Sequence, residues 1–235
     1  MLGIFSKKTK TKDMNLIFLH GALGSKEQWN AIAQLMPTNY TTHYLDFPEH
    51  GKSENALDTY SIETLANWVG KYIESHQLQK CVLIGYSLGG YVALWLAAKK
   101  PHYLLKVITL ATKFTWNKTI ITTENAKLTM ENLLPIKNKL EAEHGPHFDM
   151  LLPHTQQILA SIADCMLNQS VLAAIECPAM LMVGENDRMV GSEETILFST
   201  YITTARVEIV QQQPHLIQKM QPDLIANMFI DFLEE

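Results

Sequence analysis

The most constraining feature of this sequence is a Gly-Tyr-Ser-Leu-Gly segment at 85–89, which separates an apolar run at 81–84 from an alanine-containing apolar run at 91–98. This pattern predicts a strand, a sharp turn with Ser87 at its apex, and a helix. Glycine two positions before and after the serine permits such a turn, because larger side chains would collide with neighbouring backbone. A serine exposed in this way can act as a nucleophile if a base and oxyanion donors lie beside it. The alternative is that Ser87 is simply the N-cap of the helix.

Short apolar runs of strand length alternate with amphipathic segments along most of the chain. We predict strands at 15–19, 42–47, 81–84, 106–110, 179–183 and 206–210, and helices near 28–36, 61–75, 91–98, 193–201 and 222–233. Continuous apolar strands are typical of parallel sheets that are buried on both faces. The alternation therefore predicts an α/β protein with a doubly wound, mostly parallel sheet flanked by helices.

The segment from 112 to 168 interrupts this alternation, because it contains several helical fragments separated by prolines but no convincing strand. We predict that it is a helical cap insertion. The α/β core would then comprise a first part at 1–111 and a second part at 169–235. A chain of 235 residues is long enough for one such domain with an insertion, whereas two full domains would each have a thin core.

Composition excludes several classes of partner. A hydrophobic content of 47%, a charged content of 18% and a net charge of −5 indicate a globular protein that does not bind nucleic acid. The lysine cluster at 7–12 is interpreted as a solvated tail or hairpin. No signal sequence or run of membrane-spanning length is recognised, so we expect no membrane insertion. The three cysteines lack the spacing of a disulfide framework or a zinc site, which favours a reducing, cytoplasmic location.

Two later strands end in segments that could complete a catalytic site. The fifth predicted strand is followed by Gly-Glu-Asn-Asp-Arg, which exposes a carboxylate, and the sixth is followed by a loop containing His215. A serine nucleophile needs a base to accept its proton and an acid to orient that base. We predict that Ser87, Asp187 and His215 fill these roles, with Glu185 as the nearest rival for the acid. Purely structural roles for Asp187 and His215 are the alternatives.

Together these motifs resemble the α/β-hydrolase fold superfamily, specifically its capped serine-hydrolase branch, over nearly the whole chain. The resemblance rests on His20-Gly21 after the first strand, the segment 46–53 after the second, Ser87 in its turn, the segment 184–187, and His215. In this family, the residue after His-Gly and the residue after the nucleophile supply backbone N–H groups to the oxyanion, which implies that role for Ala22 and Leu88. The family pattern also favours Asp187 as the acid, and it implies no cofactor and no metal ion.

The sequence departs from the family at two places. Glu49 stands where the family usually has glycine, so that turn is expected to differ in backbone conformation. Few residues precede the first predicted strand, which predicts a trimmed sheet edge.

For His20, a hydrogen-bonded structural role is favoured because it lies at the end of a buried strand.

The predicted cap would form the roof of the substrate pocket above Ser87. Its apolar side chains could line an acyl or alkyl site, and Trp116 and Phe148 are the candidates for substrate contact. The alternative is that both are core residues, since apolar residues at helical spacing mostly are.

These observations predict a cofactor-free serine hydrolase that cleaves a small ester or related carbonyl substrate; the oligomeric state is left open. A carbon–carbon bond hydrolase would use the same triad. So would the menaquinone-pathway lyase, whose motifs are similar, but that family has an arginine where Tyr91 stands, and Arg188 and Arg206 lie outside the predicted cap. A non-catalytic small-molecule receptor on the same fold is a further alternative.

Overall fold

The computed structural model describes residues 13–235, so the lysine cluster at 7–12 lies outside the described residues. The strands are β1 (Asn15–Leu19), β2 (Thr41–Leu45), β3 (Cys81–Tyr86), β4 (Leu104–Leu110), β5 (Ala179–Gly184) and β6 (Ala205–Val210). The helices are α1 (Asn30–Ala33), α2 (Ile62–Ser75), α3 (Leu88–Ala97), α4 (Lys118–Lys127), α5 (Met130–Leu133), α6 (Lys137–His144), α7 (Phe148–Ser161), α8 (Gln169–Leu172), α9 (Ser192–Ser199) and α10 (Pro222–Glu234). Short 3-10 turns occupy Lys26–Trp29, Leu134–Ile136, Gly145–His147 and Ile217–Lys219.

The six strands form one sheet in the order β2-β1-β3-β4-β5-β6, and every neighbouring pair is parallel. The predicted fold class, a doubly wound parallel sheet with flanking helices and a helical insertion, is confirmed. The helix predicted at 28–36 is the largest difference, because this segment forms a 3-10 turn and then the four-residue α1.

Both faces of the sheet are buried by helices, which explains the continuous apolar strands. Alternate strand residues point to opposite faces: Ile17 and Leu19 pack in the cluster that contains α2 and α3, whereas Leu16 and Phe18 pack in the cluster that contains α10. Each face of the sheet thus presents apolar side chains to its own set of helices.

The winding of the sheet reverses between β1 and β3. The chain runs from β1 outward to β2, and then returns to the other side of β1 to form β3. In open parallel sheets, ligands bind in the crevice outside the carboxyl ends of the strands at such a reversal. Gly21 and Ser87 follow β1 and β3 at this point, and a Cβ atom added to Gly21 would lie 3.4 Å from Ser87 Cβ.

The helical insertion follows β4, with α4 to α7 inside the predicted range of 112–168. Polar contacts fix it to loops at the carboxyl edge of the sheet. Ser25 donates to the Glu143 carboxylate, and the Gly51 N–H donates to His144 Nδ1 at 2.9 Å. The insertion therefore lies over the edge where the candidate site is found.

No helix within 13–235 has both the length and the apolar character needed to cross a membrane.

Candidate active site

Ser87 occupies a strained turn between β3 and α3, with φ 51° and ψ −113°. The neighbouring glycines make this turn possible: a Cβ atom on Gly85 would lie 2.3 Å from Gly89 O, and one on Gly89 would lie 2.3 Å from Leu19 O. A non-glycine residue at positive φ is uncommon, and such conformations cluster at functional sites. The N-cap alternative is not supported, because the Ser87 side chain makes no capping hydrogen bond.

Asp187 and His215 lie together at the ends of β5 and β6. His215 Nδ1 and Asp187 Oδ2 are 2.7 Å apart, and the Asp187 side chain is fully buried. Asp187 Oδ1 accepts hydrogen bonds from the Met189 and Val190 N–H groups at 2.8 and 2.9 Å. The carboxylate is thus held by three donors, and the bond to Nδ1 leaves His215 Nε2 as the free ring nitrogen.

The rival acid, Glu185, has a different environment. Its exposed side chain accepts a hydrogen bond from the Gln212 N–H at 3.0 Å and makes no contact with His215 among the described hydrogen bonds. The lack of a side chain at Gly184 allows the two loops to approach each other closely. A Cβ atom added there would lie only 2.2 Å from Gln213 O. The geometry therefore favours Asp187 as the partner of His215.

Ser87 and His215 both line a cavity of about 710 Å³ under the helical insertion. Within residues 13–235, neither Ser87 Oγ nor His215 Nε2 has a hydrogen-bond partner, so the two atoms are not hydrogen-bonded to each other. Catalytic hydrogen bonds are often long in a free enzyme and shorten when substrate binds. The arrangement brings the predicted nucleophile and base to one cavity.

Ala22 and Leu88 also line this cavity. Their backbone N–H groups have no acceptor in the described part of the chain. Leu88 is the first residue of α3, where free N–H groups and the helix dipole favour negative charge. Two free backbone donors beside a serine can stabilise an oxyanion.

Gln28 is a further residue of this site, and no sequence pattern indicates it. Gln28 lines the cavity, and its Oε1 accepts a hydrogen bond from the Gly21 N–H at 2.8 Å. This bond fixes the backbone of Gly21, the residue that precedes Ala22. The contact could not be inferred from spacing, because it depends on the 3-10 turn that replaces the expected start of a helix at this position.

His20 has the structural role that was favoured for it. Its side chain is fully buried, Nε2 accepts from the Phe47 N–H at 3.0 Å, and Nδ1 lies 2.8 Å from Gly21 O. Burial lowers the pKa of His20 to about 3, so it remains neutral. It joins the loops after β1 and β2.

Glu49, the departure from the family pattern, has φ 55°, a conformation that glycine adopts without strain.

The two predicted substrate-contact residues lie in different environments. Trp116 lines the cavity, and its Nε1 donates to Lys113 O at 3.0 Å. Phe148 is not on the cavity wall; it packs with Leu133, Leu140 and Leu151 inside the insertion. The geometry gives Phe148 a core role, because it begins α7 with its ring directed to α5 and α6 rather than to Ser87.

Arg188 lines the cavity although it lies outside the insertion. It follows Asp187 directly, so the loop that carries the acid also carries a cation into the cavity wall.

The residues from 13 to 235 contain no group of three or more His, Cys, Asp or Glu side chains that could hold a metal ion.

Comparison with known proteins agrees with this fold. A family model described as alpha/beta hydrolase fold matches residues 15–139, a little over half of the chain. The hydrolase YugF of Bacillus subtilis, described as uncharacterized, is 24% identical over 249 residues, covering 93% of this chain and 89% of that protein. A pimeloyl-[acyl-carrier protein] methyl ester esterase of Sodalis glossinidius is 31% identical over 111 residues, covering 47% of this chain and 41% of the esterase.

Some relatives are matched over only part of their length. The chain spans 24% to 26% of the length of the alcohol and ethanol acetyltransferases that it matches. Among solved structures, a thermophilic esterase from Thermogutta terrifontis superposes with a TM-score of 0.80 at 18% identity, covering 96% of this chain and 91% of that one. At this identity the similarity shows the fold.

Proposed function

Because the chain belongs to the α/β-hydrolase fold family, we propose that it is a serine hydrolase that cleaves a small ester through Ser87, His215 and Asp187. The observation that carries this proposal is the 2.7 Å contact between His215 Nδ1 and Asp187 Oδ2, at the same cavity as Ser87. An oriented imidazole beside a serine in a strained turn is the arrangement that activates a hydroxyl group.

In the proposed reaction, His215 Nε2 accepts the proton of Ser87 Oγ as that oxygen attacks the ester carbonyl carbon. The Ala22 and Leu88 N–H groups bind the oxyanion that forms. Asp187 orients the ring and stabilises its cationic form. When the tetrahedral intermediate collapses, the carbon–oxygen bond of the ester breaks and the imidazolium donates its proton to the departing alcohol.

Water completes the cycle on the acyl-enzyme. His215 takes a proton from the water as it attacks the acyl carbon, and then returns that proton to Ser87 Oγ as the acid leaves. Every proton in this scheme moves through His215, and the charge develops only at the oxyanion site and on the imidazole. The scheme needs no group beyond the residues described.

The cavity supports an apolar acyl or alkyl group near Ser87. Leu23, Leu128, Leu159 and Ile162 lie on its wall together with Trp116. Burial of apolar chain against such a wall contributes about 0.8 kcal/mol per methylene. We expect activity to rise with acyl length until the cavity is filled.

The lyase hypothesis receives less support. At the position of the arginine in that family, Tyr91 is buried; its hydroxyl donates to Cys165 O and accepts from the Leu167 N–H, both at 3.0 Å. Tyr91 therefore fixes the last residues of the insertion and supplies no positive charge. The carbon–carbon hydrolase and receptor hypotheses predict weak or no turnover of simple esters.

A panel of p-nitrophenyl esters of two to eight acyl carbons tests the proposal. We expect wild type to hydrolyse them and Ser87→Ala to lose at least about 1,000-fold in kcat/KM. Ser170→Ala, an exposed serine outside the cavity, is the matched control and should retain full activity. Equal turnover by wild type and Ser87→Ala would overturn the proposal, as would a folded wild type that cleaves none of the esters.

A further inference from the structure

Arg188 is the one charged side chain on the cavity wall that forms no ion pair or hydrogen bond with another residue in 13–235. The other charges on the wall are paired. Lys127 Nζ lies 2.7 Å from Glu124 Oε1, and Lys113 Nζ lies 3.9 Å from Glu194 Oε2. The wall therefore carries one uncompensated positive charge.

The other arginine of the chain shows the contrast. Arg206 forms ion pairs with Glu208 and Glu235, and its guanidinium lies 5.1 Å from the centre of the Phe232 ring. An arginine that serves only the fold is expected to have such partners. Arg188 has none, although the residue is exposed and lines the cavity.

The neighbouring carboxylate does not form an ion pair with Arg188. Both oxygens of Asp187 are occupied, by His215 and by the Met189 and Val190 N–H groups. Those backbone bonds also fix the loop on either side of Arg188. Arg188 thus lies in a turn that hydrogen bonds hold in place, and the N–H groups of its guanidinium are available to a ligand.

Guanidinium groups bind carboxylates and phosphates through paired, charge-assisted hydrogen bonds. Most of the remaining wall is apolar, including Leu23, Leu128, Leu159, Ile162 and Val190. An apolar cavity with a single cation suits a ligand with an apolar chain and one anionic group.

Building on the proposed function, we propose that the substrate is an ester that bears an anionic group, and that Arg188 binds this group. The anion could belong to the acyl part, as in a monoester of a dicarboxylic acid, or to the alcohol part. The shared chemistry is a carboxylate or phosphate that reaches Arg188 while the ester carbonyl lies at Ser87.

Two matched pairs of substrates separate these sources. For the acyl part, mono-p-nitrophenyl adipate is compared with its methyl-capped diester. For the alcohol part, 4-(butyryloxy)benzoate is compared with its methyl ester. The measured quantity is the ratio of kcat/KM for the anionic member to that for the neutral member, at low and at high salt.

We expect a ratio of roughly ten or more in one of the two pairs for wild type, since hydrogen bonds to charged groups are among the stronger ones. The ratio should fall towards one in Arg188→Gln, remain intermediate in Arg188→Lys, and decrease at high salt. Arg206→Gln is the matched control and should keep the wild-type ratio.

Ratios near one in both pairs for wild type, or a wild-type preference that persists in Arg188→Gln, would overturn the assignment of Arg188. If the neutral esters are still cleaved in that case, the serine-hydrolase proposal stands. If no ester in either pair is cleaved by folded protein, the proposed function fails and the substrate assignment fails with it.

Discussion

The Tyr86 hydroxyl donates a hydrogen bond to the His215 carbonyl oxygen at 3.1 Å, across a separation of 129 residues. Tyr86 is the last residue of β3 and directly precedes Ser87. The rings of Tyr86 and His215 are 5.7 Å apart. The strand that carries the candidate nucleophile therefore also holds the loop that carries the candidate base.

Replacement of Tyr86 by phenylalanine removes this bond and keeps the ring. Burial raises the pKa of Tyr86 to about 12, so the hydroxyl is a donor at neutral pH. We expect Tyr86→Phe to lower the free energy of unfolding by about 1 kcal/mol. We also expect kcat for ester hydrolysis to fall by roughly three- to tenfold, because a 1 Å misplacement of a catalytic group can cost more than this. Urea unfolding and steady-state kinetics measure the two effects.

Tyr201→Phe is a suitable control, because no hydrogen bond of the Tyr201 hydroxyl is found in the described part of the chain. It should change neither quantity. Wild-type kcat in Tyr86→Phe would show that the Tyr86 hydroxyl does not position His215.

Gly89 is predicted to tolerate no side chain. A Cβ atom there would lie 2.3 Å from Leu19 O and 2.6 Å from His20 O, and backbone at the end of a buried strand cannot move aside. We expect Gly89→Ala to destabilise the protein by about 3 kcal/mol, the upper end of the usual cost of overpacking. Thermal unfolding of this variant measures the effect.

Gly191→Ala provides the comparison for this substitution. Gly191 has φ −76°, and the nearest atom to an added Cβ is 3.8 Å away. Because Gly191 is the N-cap of α9, where alanine is less favourable than glycine, this variant should lose no more than about 1 kcal/mol of stability. Similar losses in the two variants would contradict the steric argument at Gly89.

Stability is predicted to fall with acidification below pH 6.5. Burial lowers the pKa of both His20 and His50 from 6.5 to about 3. Between these values the unfolded chain binds protons that the folded protein does not, so the free energy of unfolding decreases as pH decreases. Each histidine should contribute a loss of about 2 kcal/mol between pH 7.5 and pH 5.

Urea unfolding at a series of pH values tests this, with His50→Gln as the comparison. That variant should lose about 2 kcal/mol less than wild type over the same range, because one of the two groups no longer titrates. Identical pH dependence in the two proteins would mean that His50 is not held neutral by the fold.

Local sequence patterns were sufficient to predict the sheet and the turn at Ser87. Apolar strands and paired glycines depend on their immediate surroundings, since a Cβ atom added at Gly85 or Gly89 would lie 2.3 Å from a neighbouring backbone oxygen. The choice of Asp187 over Glu185 came from family resemblance, and the geometry agrees with it.

Contacts between distant segments could not be predicted in the same way. The contribution of Tyr86 depends on where a loop 129 residues later returns to the sheet. Phe148 illustrates the same limit in the insertion: its apolar character predicts burial, but the packing of α5, α6 and α7 decides whether it faces the cavity or Leu140.

Labelling with a fluorophosphonate, followed by intact-protein and peptide mass spectrometry, shows whether His215 and Asp187 activate Ser87. We expect one adduct per chain on Ser87, no adduct in Ser87→Ala, and labelling slowed by at least about 1,000-fold in His215→Ala. A folded wild type that stays unlabelled, or an adduct that forms at the same rate without His215, would contradict it.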